Sequence, residues 1–177
     1  MKSTKAASRY AKALLEIAIE QKMIDSILGD MKFLMQANND APDFGALIAS
    51  PIVNANKKIQ IFESVFDQFE EASMSFIKLI TKNRREALLP EIAASFEMLV
   101  KEHRGIVPIK LISAIRLNET TKQTILAKIK GSIKGELEVV EEIDESLIGG
   151  FMVRMGDVQI DASISSQFNN LKQRLTR

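Results

Sequence analysis

The hydrophobic pattern of this 177-residue chain changes once, near Gly105. Before that glycine, apolar side chains recur every three or four residues, which is the period of helices that bury one face. After it come the runs IVPIKLISAIRL and ELEVVEEI, whose β-branched residues are typical of strands. The change predicts a helical domain over 1–105 and a smaller mixed domain over 106–177. The predicted fold is therefore mainly α with a small α+β part.

The first part is predicted to be a six-helix bundle. Its helices are expected at about 4–20, 24–37, 44–49, 55–69 and 72–83, with a last one from the LLPE run to the HRG run. Pro51 restricts the residue before it, so it separates two of these helices. Phe62, Phe66 and Phe69 recur at i, i+4 and i+7, which predicts a core stripe along the fourth helix.

The second part is predicted to have the order β-α-β-β-α. Strands are expected over 106–117, 136–143, 151–155 and 158–160, with a helix over 118–134 between the first two. Asn118 is the expected N-cap of that helix, and Ile125, Ile129 and Ile133 mark its apolar side. The final helix should bury a stripe formed by Ile164, Phe168, Leu171 and Leu175.

The glycines of SLIGGFMVRMGDVQIDASISS raise the question of a nucleotide site. A phosphate-binding loop needs Lys and Ser or Thr directly after its last glycine, but Asp157 and Val158 follow Gly156 here. Alternating apolar and polar residues on both sides of Gly156-Asp157 instead predict a hairpin. In that reading Gly156 supplies a positive φ, and Gly149 and Gly150 let the chain bend or pack closely. Asp161 or Ser163 is then the expected cap of the final helix.

Composition argues against most chemistry. The chain has no cysteine, one histidine and a net charge of +1, so a thiolate nucleophile is impossible and nucleic acid is an improbable partner. The acidic run Glu141, Glu142, Asp144 and Glu145 lacks the spacing of a calcium loop and is expected to be solvated. We expect no catalytic residue, cofactor, metal or small-molecule substrate. The longest uncharged run is too short to span a membrane, and the start lacks a signal-peptide core, so a soluble cytoplasmic protein is expected.

Two predicted helices carry more apolar surface than one core requires. At 100° per residue, the apolar arc covers roughly 240° of the first helix and roughly 220° of the helix over 72–83. A helix on one side of a core needs an arc of only about 100° or somewhat more. A central position in the bundle explains this, and so does a groove that accepts an amphipathic helix from a partner.

Three stretches resemble one known family, the delta subunits of bacterial F-type ATP synthase, which are similar to the mitochondrial oligomycin-sensitivity-conferring subunit. They are RYAKALLEIA, LITKNRREALLPEI and SLIGGFMVRMGDVQIDASISSQFNNLKQRL, and the resemblance extends over the whole chain. It implies a noncatalytic peripheral-stalk subunit, or stator, on the cytoplasmic face of the bacterial inner membrane during proton-driven ATP synthesis. An unrelated cytoplasmic adaptor for an amphipathic helix remains the alternative, and a small enzyme using carboxylates is a third.

The resemblance also implies two partners. The N-terminal domain would bind the N-terminal helix of an alpha subunit of the catalytic head, in a groove between the first and fifth helices. The C-terminal domain would bind the C-terminal end of the b subunits. The residues implied for the groove are Tyr10, Ala13 and Leu79, with Ile17, Phe76 and Ile80 as neighbours by helical spacing.

Overall fold

The computed structural model describes residues 4–131, 135–156 and 158–175, without the side chains of 169–171, 174 and 175. Contacts within the chain divide it into two compact units, Met1–Val100 and Lys101–Arg177. The chain is mainly helical and contains one four-stranded sheet, which confirms the coarse prediction of a mainly α fold with a small α+β part.

Six α-helices precede the first strand in the described residues. They are α1 (Lys5–Glu20), α2 (Ile24–Asp40), α3 (Pro42–Ala49), α4 (Ala55–Val65), α5 (Glu71–Lys82) and α6 (Leu89–His103), with a short 3₁₀ segment at Glu86–Leu88. Thr4 caps α1 by accepting a hydrogen bond from the Ala7 amide. The core of this unit is formed by one face of each helix, and its largest buried side chains include Phe62, Phe66 and Phe96.

Two predicted helix ends in this unit were wrong. The second helix continues through Asn38 and Asn39 to Asp40, because the break is set by Pro42, which holds Ala41 in an extended conformation. The fourth helix ends at Val65, and Phe66 leaves helical geometry at φ −115°. Phe66 is buried and Phe69, which is partly buried, packs against the same core, with ring centroids 4.5 Å apart. The aromatic stripe therefore contacts the core without continuing the helix.

A lysine lies in the middle of this apolar core. Lys58 is 1% exposed, and its Nζ donates hydrogen bonds to the carbonyls of Ile48 and Ser50 at 3.0 and 2.7 Å. The same ammonium lies 2.5 Å from Oε1 of Glu86. One buried cation therefore joins α4 to the end of α3 and to the 3₁₀ segment.

The second unit contains β1 (Ile106–Ser113), α7 (Glu119–Lys130), β2 (Glu136–Ile143), β3 (Gly150–Met155), β4 (Val158–Ser163) and α8 (Ile164–Leu175). The strand order is β2-β1-β3-β4; β1 and β2 are parallel, and the other two pairs are antiparallel. The last turn of α6 belongs to this unit, because Lys101 pairs with Glu138 at 2.7 Å and the Glu136 amide donates to the Gly105 carbonyl.

Three element lengths in the second unit also differ from the prediction. The last strand was expected to end at residue 160 and continues to Ser163. The first strand ends at Ser113 and not at residue 117, because both of its partner strands pair with it only as far as Ser113. The helix capped by Asn118 ends at Lys130, and the predicted extension with Ile133 lies outside the described residues. Its Ile125 packs with Ile109, Leu111 and Val153 on one face of the sheet.

Candidate functional site

A surface groove with a volume of about 620 Å³ lies between α1 and α5. Its lining combines apolar side chains with a few polar ones: Ile17, Gln21, Met23, Glu70, Glu71, Ala72, Ser75, Phe76 and Leu79. Two large apolar side chains in this lining are open to solvent, Ile17 at 37% and Leu79 at 52% exposure. Because exposed aliphatic side chains gain from burial, the groove is suited to an apolar face of another protein segment.

The predicted groove residues have different surroundings. Ala13 is exposed on α1 and Tyr10 is half-buried, whereas Phe76 is almost fully buried at the floor of the groove. The placement of Ile80 at the groove surface was wrong: its side chain is fully buried in the helical core. Ile80 follows Phe76 by four residues, so it continues the inward face of α5, while Leu79 lies on the outward side.

Tyr10 is held in place by two neighbours, Arg85 and Phe76. The Arg85 Nη1 donates a hydrogen bond to its hydroxyl at 2.7 Å, and the guanidinium carbon lies 5.7 Å from the ring centroid. On its other side the ring packs edge-on against Phe76, with centroids 6.4 Å apart. These contacts join α1 to α5 and to Arg85, three residues beyond the end of α5, although Tyr10 itself does not line the groove.

One end of the groove is positioned by Asp30 of α2. Its carboxylate accepts a hydrogen bond from the Glu70 amide at 3.0 Å, directly before the first turn of α5. Burial raises the pKa of Asp30 above its ordinary value, while the hydrogen bond from the Glu70 amide acts in the other direction. The side chain of Glu70, the N-cap residue of α5, makes no capping hydrogen bond, and Asp30 supplies the cap instead.

A second apolar groove, of about 600 Å³, lies in the C-terminal unit between α7 and the β3–β4 hairpin. Its lining is mostly aliphatic: Thr121, Thr124, Ile125, Lys128, Ile129, Phe151, Val153, Met155, Val158 and Ile160. Val158 and Ile160, the apolar residues of the predicted alternation in β4, are more than half exposed. The reason is that β4 is the edge strand and α7 packs over β1 and β3.

The first two residues of the apolar stripe predicted for the final helix are also exposed. Ile164 and Phe168 are 40% and 64% exposed, so their predicted burial was wrong. The side chains of Leu171 and Leu175 lie outside the described residues. Because α8 begins directly after the edge strand β4, its first turn stays at the margin of the sheet.

The glycines of the β3–β4 hairpin adopt backbone conformations and make close contacts that other residues do not readily allow. Gly150 and Gly156 adopt φ of +78° and +55°, and Gly149 packs against the side chain of Ile164.

Asp161 and Ser163 form hydrogen bonds at the start of α8. Oδ2 of Asp161 accepts from the Ser166 hydroxyl at 2.6 Å, its Oδ1 accepts from the Ser163 amide, and Ser163 Oγ accepts from the Ser166 amide. These hydrogen bonds hold the pKa of Asp161 below its ordinary value. Ser163 is thus the residue that caps α8, and Asp161 supports it. Asp157 lies outside the described residues.

The acidic run after β2 is engaged by neighbouring groups. Glu141 pairs with Lys122, Glu142 pairs with Lys110, and Asp144 accepts a hydrogen bond from the Ser146 amide. Among the residues that the structure describes, no group of three or more His, Asp or Glu is arranged to hold a metal ion. None of the described helices is long and apolar enough to cross a lipid bilayer.

Comparison with known proteins identifies the family. Residues 6–175 match the family described as ATP synthase delta (OSCP) subunit. The chain belongs to the ATP synthase delta (OSCP) subunit family. It is similar to ATP synthase subunit delta of Cytophaga hutchinsonii, with 33% identity over 99% of this chain and 97% of that protein. It is 35% identical to the subunit of the same name from Carboxydothermus hydrogenoformans, covering 98% of each chain.

The delta (OSCP) subunit is a component of the peripheral stalk of F-type ATP synthase, so this chain is a stalk component. A chain in the Toxoplasma gondii mitochondrial ATP synthase hexamer has the same fold, with a TM-score of 0.75, 19% identity and coverage of 98% of this chain and 99% of that one.

Two residues of this delta (OSCP) family member were not singled out from the sequence. Arg85 lies within the LITKNRREALLPEI run, but its partner Tyr10 is 75 residues away, and no local pattern links them. Lys58 had a detectable signal, because it precedes Phe62 by four residues and therefore lies on the apolar stripe of α4.

Proposed function

We propose that this chain is a noncatalytic link in the stator of a bacterial F-type ATP synthase, joining the catalytic head to the b subunits. Rotation of the central shaft exerts torque on the head, and a stalk must resist it. That role requires binding surfaces and stiffness, and it requires no reactive group, cofactor, nucleic acid or small-molecule substrate. Membership of the delta (OSCP) family, together with an open groove on each unit, supports it.

The helical part, through Gly105, binds the head. Its α1–α5 groove accepts the N-terminal helix of an alpha subunit, with its apolar face on Ile17, Phe76 and Leu79. Ala13 is exposed one helical turn before Ile17 on the same side of α1, and a small side chain there allows another helix to approach closely. The observation that carries this assignment is the pair of exposed aliphatic residues, Ile17 and Leu79, on opposite walls of one groove.

The part from residue 106 onward binds the C-terminal end of the b subunits. The groove between α7 and the β3–β4 hairpin supports this role, because it leaves Val158 and Ile160 exposed in a cavity of about 600 Å³. The exposed Phe168 of α8 adds further apolar surface on the same unit. Burying an apolar side chain that is now exposed stabilises a complex by about 1.5–3 kcal/mol when burial is complete.

The chain works at the cytoplasmic face of the bacterial plasma membrane as a peripheral part of the complex. It reaches the membrane through its partners and inserts no segment itself. Membership of a family with bacterial relatives supports this placement.

Reconstitution tests the proposed function directly. Membranes that contain the ATP synthase but lack this subunit should not retain the catalytic head after a low-salt wash. Addition of the purified full chain should restore head retention and proton-driven ATP synthesis together. The proposal is refuted if the chain binds neither the isolated head nor the membrane-embedded b subunits.

A further inference from the structure

A cavity of about 380 Å³ lies within the helical unit, next to the loop between α3 and α4. Residues 48–55 form one part of its lining, and Arg84, Glu86 and Ala87, which follow α5, form the other. None of these residues lines the groove between α1 and α5. Sites for small molecules have volumes of about 300–1,000 Å³ and combine apolar walls with a few polar groups. The cavity is therefore large enough for a small organic molecule.

The carboxylate of Glu86, in the lining of this cavity, has one oxygen without a hydrogen-bond donor. Its Oε1 lies 2.5 Å from the ammonium of Lys58, which directs its other hydrogen bonds to the carbonyls of Ile48 and Ser50. All three donors of that ammonium are thereby used. The second oxygen, Oε2, is buried, and no described residue donates to it. Because a buried charged group without its full set of partners is unfavourable, Oε2 is an acceptor that a donor on a bound molecule would satisfy.

Arg84 occupies a backbone position that favours glycine. It is the first residue beyond Asn83, the C-cap of α5, and it adopts φ +55°. Glycine is common at this position, because other side chains cost free energy in the left-handed region. A cation near the end of α5 is already present as Lys82 in the last turn, so the helix dipole does not require a second one. Within the described part of the chain, Arg84 takes part in no ion pair or side-chain hydrogen bond.

The charges at the cavity favour an anion. Lys58 compensates Glu86, so the positive charge of Arg84 is left over. A cationic molecule would be repelled by both Lys58 and Arg84, although it could donate to Oε2 of Glu86. An arginine binds a carboxylate well, since its guanidinium can donate two parallel hydrogen bonds. A matching molecule thus combines a negative group with a separate N–H or O–H donor.

We propose that this cavity binds a small organic carboxylate that also carries an N–H or O–H donor and an aliphatic part. The carboxylate pairs with Arg84, and the donor group hydrogen bonds to Oε2 of Glu86. The aliphatic part contacts the apolar residues of the lining, such as Pro51 and Val53. N-acylated aliphatic amino acids have all three features. Such a ligand joins the loop between α3 and α4 to the segment after α5, so it stabilises the helical unit by binding the folded chain.

Three probes of similar size separate these contributions. N-acetyl-leucine has the carboxylate, the N–H and the aliphatic group; N-acetyl-leucinamide lacks the negative charge, and isocaproate lacks the N–H. Each is titrated into the full chain and followed by amide chemical shifts in NMR spectra. For a molecule of about a dozen non-hydrogen atoms, a Kd of about 1 mM or lower is expected for N-acetyl-leucine. Each of the other two should bind at least about tenfold more weakly, because each leaves one charged group of the cavity without its partner.

Two glycine substitutions at equivalent backbone positions test the role of Arg84. Lys22 is likewise the first residue beyond a helix C-cap, with φ +56°, and it does not line the cavity. Arg84→Gly and Lys22→Gly should both melt no lower than the unmodified chain, because glycine adopts a positive φ without strain. Only Arg84→Gly should lose affinity for N-acetyl-leucine, by at least about tenfold.

Several results would overturn the proposed site. They are equal affinity for the three probes, no shift of any amide with N-acetyl-leucine at about ten times the expected Kd, and unchanged affinity in Arg84→Gly. Shifts confined to residues remote from the cavity would also contradict it. If Arg84→Gly fails to fold, as judged by circular dichroism, the comparison of the three probes on the unmodified chain still decides.

Discussion

The ammonium group of Lys58 lies 2.5 Å from Oε1 of Glu86, and the two side chains are 1% and 12% exposed. A buried charge is tolerated when a counter-charge and hydrogen-bond acceptors surround it. Lys58 has both, because it also donates to the carbonyls of Ile48 and Ser50. The pair fixes the segment after α3 to the start of the 3₁₀ turn.

Removing the cation should therefore destabilise the helical unit. Lys58→Met leaves the Glu86 carboxylate buried without a counter-charge, and we expect a loss of about 3–5 kcal/mol. Lys57→Met, at the exposed neighbouring position, is the control and should change the free energy of unfolding by less than about 0.5 kcal/mol. Urea unfolding followed by circular dichroism measures both. Equal midpoints for the two variants would show that the buried pair contributes nothing.

A larger or charged side chain at position 13, in place of Ala13, should weaken binding and leave folding unchanged. Ala13→Lys places a charged side chain one helical turn from Ile17, so affinity for the catalytic head should fall at least about tenfold. Ala46→Lys makes the same change at an exposed position of α3, outside the groove, and should bind normally. Titration calorimetry with the head, with melting curves for both variants, is the measurement. Unfolding of Ala13→Lys would place Ala13 in the core and contradict the assignment.

Two equally exposed residues on opposite edges of the sheet, one inside the second groove and one outside it, allow the contact with the b subunits to be tested. Ile160 of β4 and Val140 of β2 are 54% and 55% exposed. Ile160→Glu should abolish binding to the C-terminal segment of the b subunits, because it puts a carboxylate on an apolar contact surface. Val140→Glu lies outside the groove and should retain binding. Pull-down with the b segment separates the two; loss of binding in both variants would locate the contact elsewhere on the sheet.

The hairpin glycines should differ in their tolerance of alanine. A Cβ at Gly150 would lie 2.3 Å from the Ala162 carbonyl oxygen at φ +78°, whereas one at Gly156, at φ +55°, meets nothing within 4 Å. Gly156→Ala should cost about 1–2 kcal/mol, from the left-handed backbone alone. Gly150→Ala adds a backbone clash and should cost about 3 kcal/mol or more. Hydrogen exchange of the β3–β4 amides reports both changes, and similar exchange in the two variants would argue against this ranking.

Asp161 should contribute to stability only while it is ionised. Its folded-state pKa is below the ordinary value of 3.8, chiefly because of the hydrogen bond from Ser166. The stability it contributes is therefore complete above about pH 5 and is lost as the pH falls through the folded pKa. Asp161→Asn should thus lower the stability of the C-terminal unit at pH 7 and have a smaller effect at pH 3. An effect of equal size at both values would assign the role of Asp161 to shape and not to charge.

Much of this fold follows from local patterns in the sequence. The change of period near Gly105, the cap at Asn118 and the strand over Glu136–Ile143 each depend on residues close together in the chain, and the structure has them where expected. The wide apolar arcs of α1 and α5 likewise indicated surface beyond the needs of one core. Helical period cannot separate the buried side of such an arc from its open side, so Ile80 and Leu79 could not be told apart.

What only the tertiary structure decided depends on residues distant in sequence. The bond between Tyr10 and Arg85 and the cap that Asp30 supplies to α5 join positions 75 and 40 residues apart. The exposure of Val158, Ile160 and Phe168 follows from the position of β4 at the edge of the sheet. The alternation of residues along β4 does not indicate that position. Local order is determined by neighbouring residues, whereas the surface left for partners is determined by which elements pack together and how far each one reaches.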